Sequence, residues 1–251
     1  MATSIKCKRC GASWAGHSER QARLNRTQNP CGCPEEPEKR DARRDFTARS
    51  LELRWIGSGP AEDEVRTWFE SLPGEIRVEP RRVDQYICPG TWTQVGLKVR
   101  QGRLEVKAID GPTQEFDLPG QGEGGIAERW TKWSVESAEA GRWAEDLRME
   151  PDILVSVSKV RAIRFYGWNG LALGPVEKRR HEGGVSVELA DLDHADGRFW
   201  TVCIESFGAA GPAMEERLPL LIGYFLTENV PSAFRRDACK SYPEWIEESR
   251  S

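Results

Sequence analysis

The chain of 251 residues lacks any long hydrophobic run. No stretch approaches the ~18 consecutive apolar residues of a membrane-spanning helix, so no membrane role is expected. Met1 to Arg9 is polar and lacks the apolar core of a secretory leader. Histidine is scarce. The three, His17, His181 and His194, are too scattered for a His-based catalytic centre. Walker, Rossmann and G-x-S-x-G motifs are absent as well. A disulfide framework is also missing: seven cysteines make an odd count, and Cys88, Cys203 and Cys239 stand far apart. That usage fits a reducing, cytoplasmic compartment. The net charge of −4 is mild, but it is unevenly spread. Residues 1–50 carry 11 basic and 6 acidic side chains, whereas residues 51–251 carry 25 and 34. Only the head is therefore suited to a polyanion or an acidic partner.

Four cysteines stand together near the N-terminus. Cys7-Lys8-Arg9-Cys10 is a C-x-x-C and Cys31-Gly32-Cys33 is a C-x-C. Two short pairs can supply the tetrahedron of thiolates that zinc favours, and Gly11 and Gly32 permit the tight turns. Two disulfides or a redox pair are the alternative reading, and His17 is an alternative ligand. Four protein ligands leave no open coordination position, so this zinc is expected to be structural. Its binding would supply the folding energy of a segment too small to bury much surface. Lys6, Lys8, Arg9, Arg20, Arg23 and Arg26 make the head basic, and Trp14 could stack on a base. Two roles stand side by side: a contact surface for protein or nucleic acid, and a solvated cap docked on the larger domain. The charged stretch 34–46, with two prolines, reads as a linker. The expected division is a zinc-binding head and linker, 1–46, and a second domain, 47–251.

Strand signals dominate the second domain. Leu51 to Trp55, Val95 to Arg100 and Leu104 to Lys107 alternate apolar and charged residues, which puts one kind on each face. Gln101-Gly102 predicts a hairpin over 95–109. Further strands are expected at Ile76 to Ile87, Ile126 to Val135, Ile153 to Tyr166, Val185 to Leu192 and Arg198 to Phe207, the last two joined by Asp193 to Gly197. About eight strands with mostly short turns predict an antiparallel barrel or sandwich. Helices are expected from Pro60 to Leu72, with the stripe Val65, Trp68, Phe69 and Leu72, from Glu139 to Met149, and from Pro212 to Leu226. A short terminal turn from Tyr242 should dock by its aromatics.

The charged strand faces mix signs: Glu52 with Arg54, Lys98 with Arg100, Glu105 with Lys107, Lys159 with Arg161, then Glu188 and Glu205. Period-2 alternation leaves two readings open. The charges face water in an ordinary sandwich, or line the lumen of a barrel whose apolar faces pack outward on helices. Such a lumen would suit a polyphosphate with a divalent cation, because cations bind phosphoryl oxygens and carboxylates hold the metal. The tryptophans, among them Trp55, Trp68, Trp130, Trp133, Trp143, Trp168 and Trp200, are read as core and barrel exterior.

The order of these motifs resembles the CYTH superfamily, the triphosphate tunnel metalloenzymes. The family opens with a strand reading E-x-E-x-K, and Ser50-Leu51-Glu52-Leu53-Arg54 lies in that place. Asp84-Gln85-Tyr86 corresponds to its Tyr-containing segment. Lys98 and Arg100, then Lys107, then Lys159-Val160-Arg161 follow in the family's order, and Glu188 and Glu205 fall on the last hairpin. The likeness spans residues 48–210. Two departures stand out: Ser50 replaces a family glutamate, and Cys203-Ile204-Glu205-Ser206 replaces E-x-E.

The resemblance implies an α+β protein with an eight-stranded antiparallel tunnel, peripheral helices, and hydrolysis of a triphosphate-bearing small molecule or an RNA 5′-end. Arg54, Lys98, Arg100, Lys107, Lys159 and Arg161 would bind phosphate. Glu52, Glu205 and Glu188 would hold Mg or Mn, and Glu52, Lys107 and Arg161 would act in catalysis. With fewer carboxylates than the family, the alternative is a tunnel that binds a phosphorylated ligand without cleaving it. Arg54 in place of lysine keeps the charge but offers a planar fork.

Overall fold

The structure is a computed structural model, and the residues it describes are 3–6, 13–16, 46–88, 92–100, 103–120, 122–136 and 153–250. The chain divides into two compact units, Met1–Arg43 and Arg44–Ser251. In the first, Thr3–Lys6 (β1) and Ser13–Gly16 (β2) pair antiparallel, with Ile5 opposite Trp14. Cys7, Cys10, Cys31, Cys33 and His17, and with them the zinc site, lie outside the described residues. So do Trp143 and the helix expected over 139–149.

The second unit is built from β3 (Phe46–Ser58), β4 (Arg77–Ile87), β5 (Val95–Arg100), β6 (Arg103–Ile109), β7 (Gln114–Leu118), β8 (Gly122–Glu136), β9 (Leu154–Asn169), β10 (Ala172–Val176), β11 (Gly183–His194) and β12 (Gly197–Gly208). Among the described residues, three α-helices accompany them: α1 (Asp63–Ser71), α2 (Arg217–Phe225) and α3 (Tyr242–Arg250). Eight strands form a closed antiparallel ring in the order β9, β11, β12, β3, β8, β6, β5, β4, and β4 returns to pair with β9. Closure leaves none of these eight as an open edge. β10 pairs beside β9, and β7 pairs with β8. The fold expected from the sequence is therefore present: an eight-stranded antiparallel barrel with a few helices.

The apolar faces of the strands point outward onto the helices. Leu51, Leu53 and Trp55 of β3 are fully buried in a cluster with Val185, Val187 and Leu189 of β11, Val202 and Ile204 of β12, and the helical residues Val65, Trp68, Phe69, Leu221 and Phe225. α1 begins with Asp63 and Glu64, whose charges suit the positive end of the helix dipole, and it buries Val65, Trp68 and Phe69. Trp68 Nε1 donates to the Phe225 carbonyl at 3.2 Å, which ties α1 to α2. Trp55 stacks on Phe234 with ring centroids 4.5 Å apart.

Several expected boundaries shift. The helix read from Pro212 to Leu226 is a 3-10 turn, Met214–Glu216, followed by α2 from Arg217. Pro219 has no N–H to give to a carbonyl four residues back, so it fits only in a first turn. Buried Arg217 secures that start, with Nε donating to Pro212 O at 3.0 Å and Nη2 to Gly208 O at 3.0 Å. The terminal turn is a nine-residue helix, α3. β7 and β10 were not expected from the sequence. Both are five residues long, and β10 contains Gly174 and Pro175. Among the described residues, no helix is long and apolar enough to cross a membrane.

Candidate functional site

Register decides which side chains face the lumen. Glu52 is opposite Glu205 on β12 and Glu128 on β8. Glu188 is opposite Cys203, Lys98 opposite Glu105, and Lys107 opposite Lys132. Paired residues share a face, so these all lie on the side away from Leu51, Leu53 and Trp55. On β4 the register shifts between Glu79 and Arg82, and this bulge lets both face inward opposite Arg161 and Lys159. Arg54, Arg82, Lys98, Arg100, Lys107, Lys132, Lys159 and Arg161 thus line one lumen with Glu52, Glu79, Asp84, Glu105, Glu128, Glu188 and Glu205. The sandwich reading, in which these charges coat an outer surface, does not hold.

Ion-pair networks cover the wall. Glu52 accepts from Lys107 and, at 3.0 Å, from Ser50 Oγ, and Arg54 Nη2 lies 3.5 Å from it. Asp84 is 2.9 Å from Lys159 Nζ, 3.4 Å from Lys98 Nζ and 3.2 Å from Arg82 Nε. Glu105 is within 3.1 Å of Lys98, Arg100 and Lys132. Arg161 donates to Glu79 and, at 2.6 Å, to Glu188. Glu205 accepts from Arg179 at 3.1 Å and from Ser186 at 3.3 Å. All six expected phosphate partners and all three expected metal carboxylates therefore reach this lumen. Glu188 does so as the partner of Arg161.

Solvent reaches the two ends of the lumen differently. Lys107 and Lys132 keep 27% of their side-chain surface exposed, whereas Lys159 keeps 2% and Asp84 none. α3 causes the difference. Its Trp245 and Ile246 pack with the inward-facing Ile56, Tyr86, Val155, Val157 and Leu192, and fill that end. Tyr242 stacks on Tyr86 at 5.7 Å, with Arg54 and Lys159 over its ring at 4.4 Å and 4.3 Å.

The electrostatics follow. For Glu52, burial acts upward, but Lys107, Arg54 and the hydrogen bonds prevail and lower the carboxyl to about 2. Burial also opposes ionisation of Asp84 and Glu105, yet their surrounding cations hold both well below the usual carboxylate range. Burial is the largest influence on Lys159 and lowers its ammonium to about 7, against the pull of ionised Asp84. It lowers Lys132 to about 8. Glu128 moves the other way. Burial, then the neighbouring Glu52 charge, pushes it up to about 7, although Trp130 Nε1 donates to it at 3.1 Å.

Glu128, Glu52 and Glu205 form one row of carboxylates across three adjacent strands. Their hard oxygen donors suit Mg or Mn in kind. Among the described residues, however, no three His, Cys, Asp or Glu side chains gather as a metal-binding group.

Glu79, Arg82, Glu128, Lys132 and Arg179 were missed from the sequence. Arg82 and Glu79 needed the bulge, and Glu128 sits in Glu128-Arg129-Trp130, where two charged residues adjoin and alternation fails. Lys132, two residues beyond Trp130, carried a usable signal. Trp130 is buried, as expected of a core tryptophan, and it faces the lumen with Lys107 Nζ 5.1 Å from its ring.

No protein-family model matches the chain, and no curated protein does. Among solved structures, it is similar to a conserved hypothetical protein from Pyrococcus furiosus, at 16% identity and a TM-score of 0.38, over 77% of this chain and 98% of that one. At that score the likeness adds nothing to the barrel read directly from the strand pairing.

Proposed function

We propose that the lumen binds a triphosphate-bearing ligand and hydrolyses it, as the resemblance to the CYTH superfamily implies. The observation that carries this reading is the convergence of Arg54, Lys98, Arg100, Lys107, Lys159 and Arg161 on the inner face of one barrel, with Lys107 keeping 27% of its side-chain surface exposed. Phosphoryl oxygens would take over the bonds that these cations now make to wall carboxylates. Glu52, so released, would hold Mg or Mn together with Glu205, whose Oε2 stays on Arg179. When bound, that cation would neutralise charge on the phosphoryl group. Glu128 is the proton acceptor best suited to an attacking water. It lies in the same row, and a carboxyl near 7 can both take and release a proton at neutral pH.

A second reading is binding without cleavage. Ser50 supplies a hydroxyl where the family has a carboxylate, and every phosphate candidate already has an acidic partner. Phosphate release from tripolyphosphate and from a nucleoside triphosphate, with Mg or Mn, separates the two readings. Turnover abolished by Lys107→Ala and by Arg161→Ala supports hydrolysis. Calorimetric binding without turnover supports the second reading, and absence of both removes the lumen as a phosphate site. The zinc head as a docking element for protein or nucleic acid is a further proposal. Deleting residues 1–46 should then abolish partner binding and leave the barrel folded.

A further inference from the structure

At the end of the barrel away from α3, the connection from β10 to β11 reads Glu177-Lys178-Arg179-Arg180-His181-Glu182, and Lys178 to His181 are exposed. Neighbouring cations on a loop should splay into water, yet two of these are laid onto the barrel rim. Arg179 places its guanidinium over the Phe207 ring, 3.5 Å from the centroid, while Nη1 donates to Glu205 at 3.1 Å. Phe207 and Glu205 lie on the inward face of β12. Arg180 rests on Gly167, where a Cβ would meet its guanidinium carbon at 3.2 Å. Gly167 shares the inward parity of Arg161, Ile163 and Phe165 on β9. The loop base is fixed, because Ala209 and Ala210 N–H both donate to Glu182 O at 2.9 Å. Arg179 still keeps 47% of its side-chain surface exposed.

We propose that Arg179 and Arg180 form a nucleoside subsite at this mouth, where a nucleobase stacks on the free face of Arg179 while its triphosphate enters the lumen. This rests on the reading of the lumen as a triphosphate site. A guanidinium is planar and delocalised, and here Phe207 supports it from below while Glu205 fixes its edge. It is a platform rather than a roving charge. Bases stack on such surfaces whatever their sequence. α3 fills the opposite end, so a ligand entering terminal phosphate first leaves its nucleoside at this rim. Inorganic tripolyphosphate has no group to place there. Arg180 flanks the platform and is positioned for the ribose or the innermost phosphate.

The test is calorimetric titration of the full-length protein with ATP and with tripolyphosphate, for wild type, Arg179→Lys and Arg180→Ala, with thermal melting to verify folding. Arg179→Lys keeps a cation beside Glu205 and removes the stacking plane. Its ATP affinity should fall about tenfold, while tripolyphosphate affinity should change by less than about twofold. Arg180→Ala should likewise weaken ATP more than tripolyphosphate. Equal loss for both ligands, or no loss for either, overturns the subsite and leaves the lumen reading standing. Wild-type binding of ATP without tripolyphosphate overturns the lumen reading and, with it, the subsite. If wild type binds neither ligand, both ideas fall.

Discussion

On β3, Leu51, Leu53 and Trp55 are fully buried among helices, while Ser50, Glu52 and Arg54 between them stand in the charged lumen. The two faces of one strand meet opposite physics. Outside, burial of apolar area drives the barrel together, and its directionless character tolerates whatever lies on the other face. Inside, Glu52, Asp84 and Glu105 have left bulk water and are kept ionised by neighbouring cations, whereas burial works against the charge of Glu128 and Lys159. Such pairs add little net stability over apolar residues, but they are costly to break. The outer face should therefore set the stability of the barrel, and the inner face what it binds.

Truncation of the outer face should have the largest effect. Trp55→Ala removes a fully buried ring stacked on Phe234, and should cost about 3–5 kcal/mol in urea unfolding. Next is the dry end of the inner face. Asp84→Ala leaves Lys159 buried without its carboxylate and should cost about 3 kcal/mol. A cost below 1 kcal/mol there would mean that water or α3 already relieves the lysine.

The pH dependence of stability sharpens the contrast within the inner face. Glu128 is raised from 4.5 to about 7 in the folded protein, first by burial and then by Glu52. The folded state thus holds a proton that the unfolded chain releases between these values. The stability tied to this group is complete below 4.5 and is lost as pH rises through about 7. Glu128→Gln should flatten that decline, by about 2 kcal/mol in denaturant titrations at pH 5 and pH 8. Glu52 has the opposite sign. Lowered from 4.5 to about 2, it contributes stability above 4.5 that is lost as pH falls through 2. The smallest effect on folding is expected at the wet end. Lys107→Ala should change stability by about 1 kcal/mol, because Arg54 and Ser50 still hold Glu52.

The same contrast explains what could be read without a structure. Alternation located β3, β5 and β6, because a wall with one apolar and one charged face must alternate whichever face is inside. It could not say that the charged face is the inner one, since an ordinary sandwich gives the same period. The inside-out choice is made by α1 and α2, whose Trp68, Phe69, Leu221 and Phe225 need an apolar partner and find it on the outer wall. Glu52, Lys107 and Arg161 were legible because they sit on clean alternating strands. Glu79 and Arg82 were hidden by a bulge, Glu128 by an adjacent arginine, and Arg179 by a loop that has no period. The plug of Tyr242, Trp245 and Ile246 was foreseen as a docking turn, but the lumen end it fills was not.

Calorimetric titration of tripolyphosphate into wild type, Lys107→Ala and Arg161→Ala tests the central claim, that the inner face is a phosphate site. Wild type should bind, and each variant should lose at least about tenfold in affinity, the loss expected for one charge-assisted contact, with melting temperature nearly unchanged for Lys107→Ala. Wild type that gives no binding heat, or variants that bind as tightly as wild type, would contradict it.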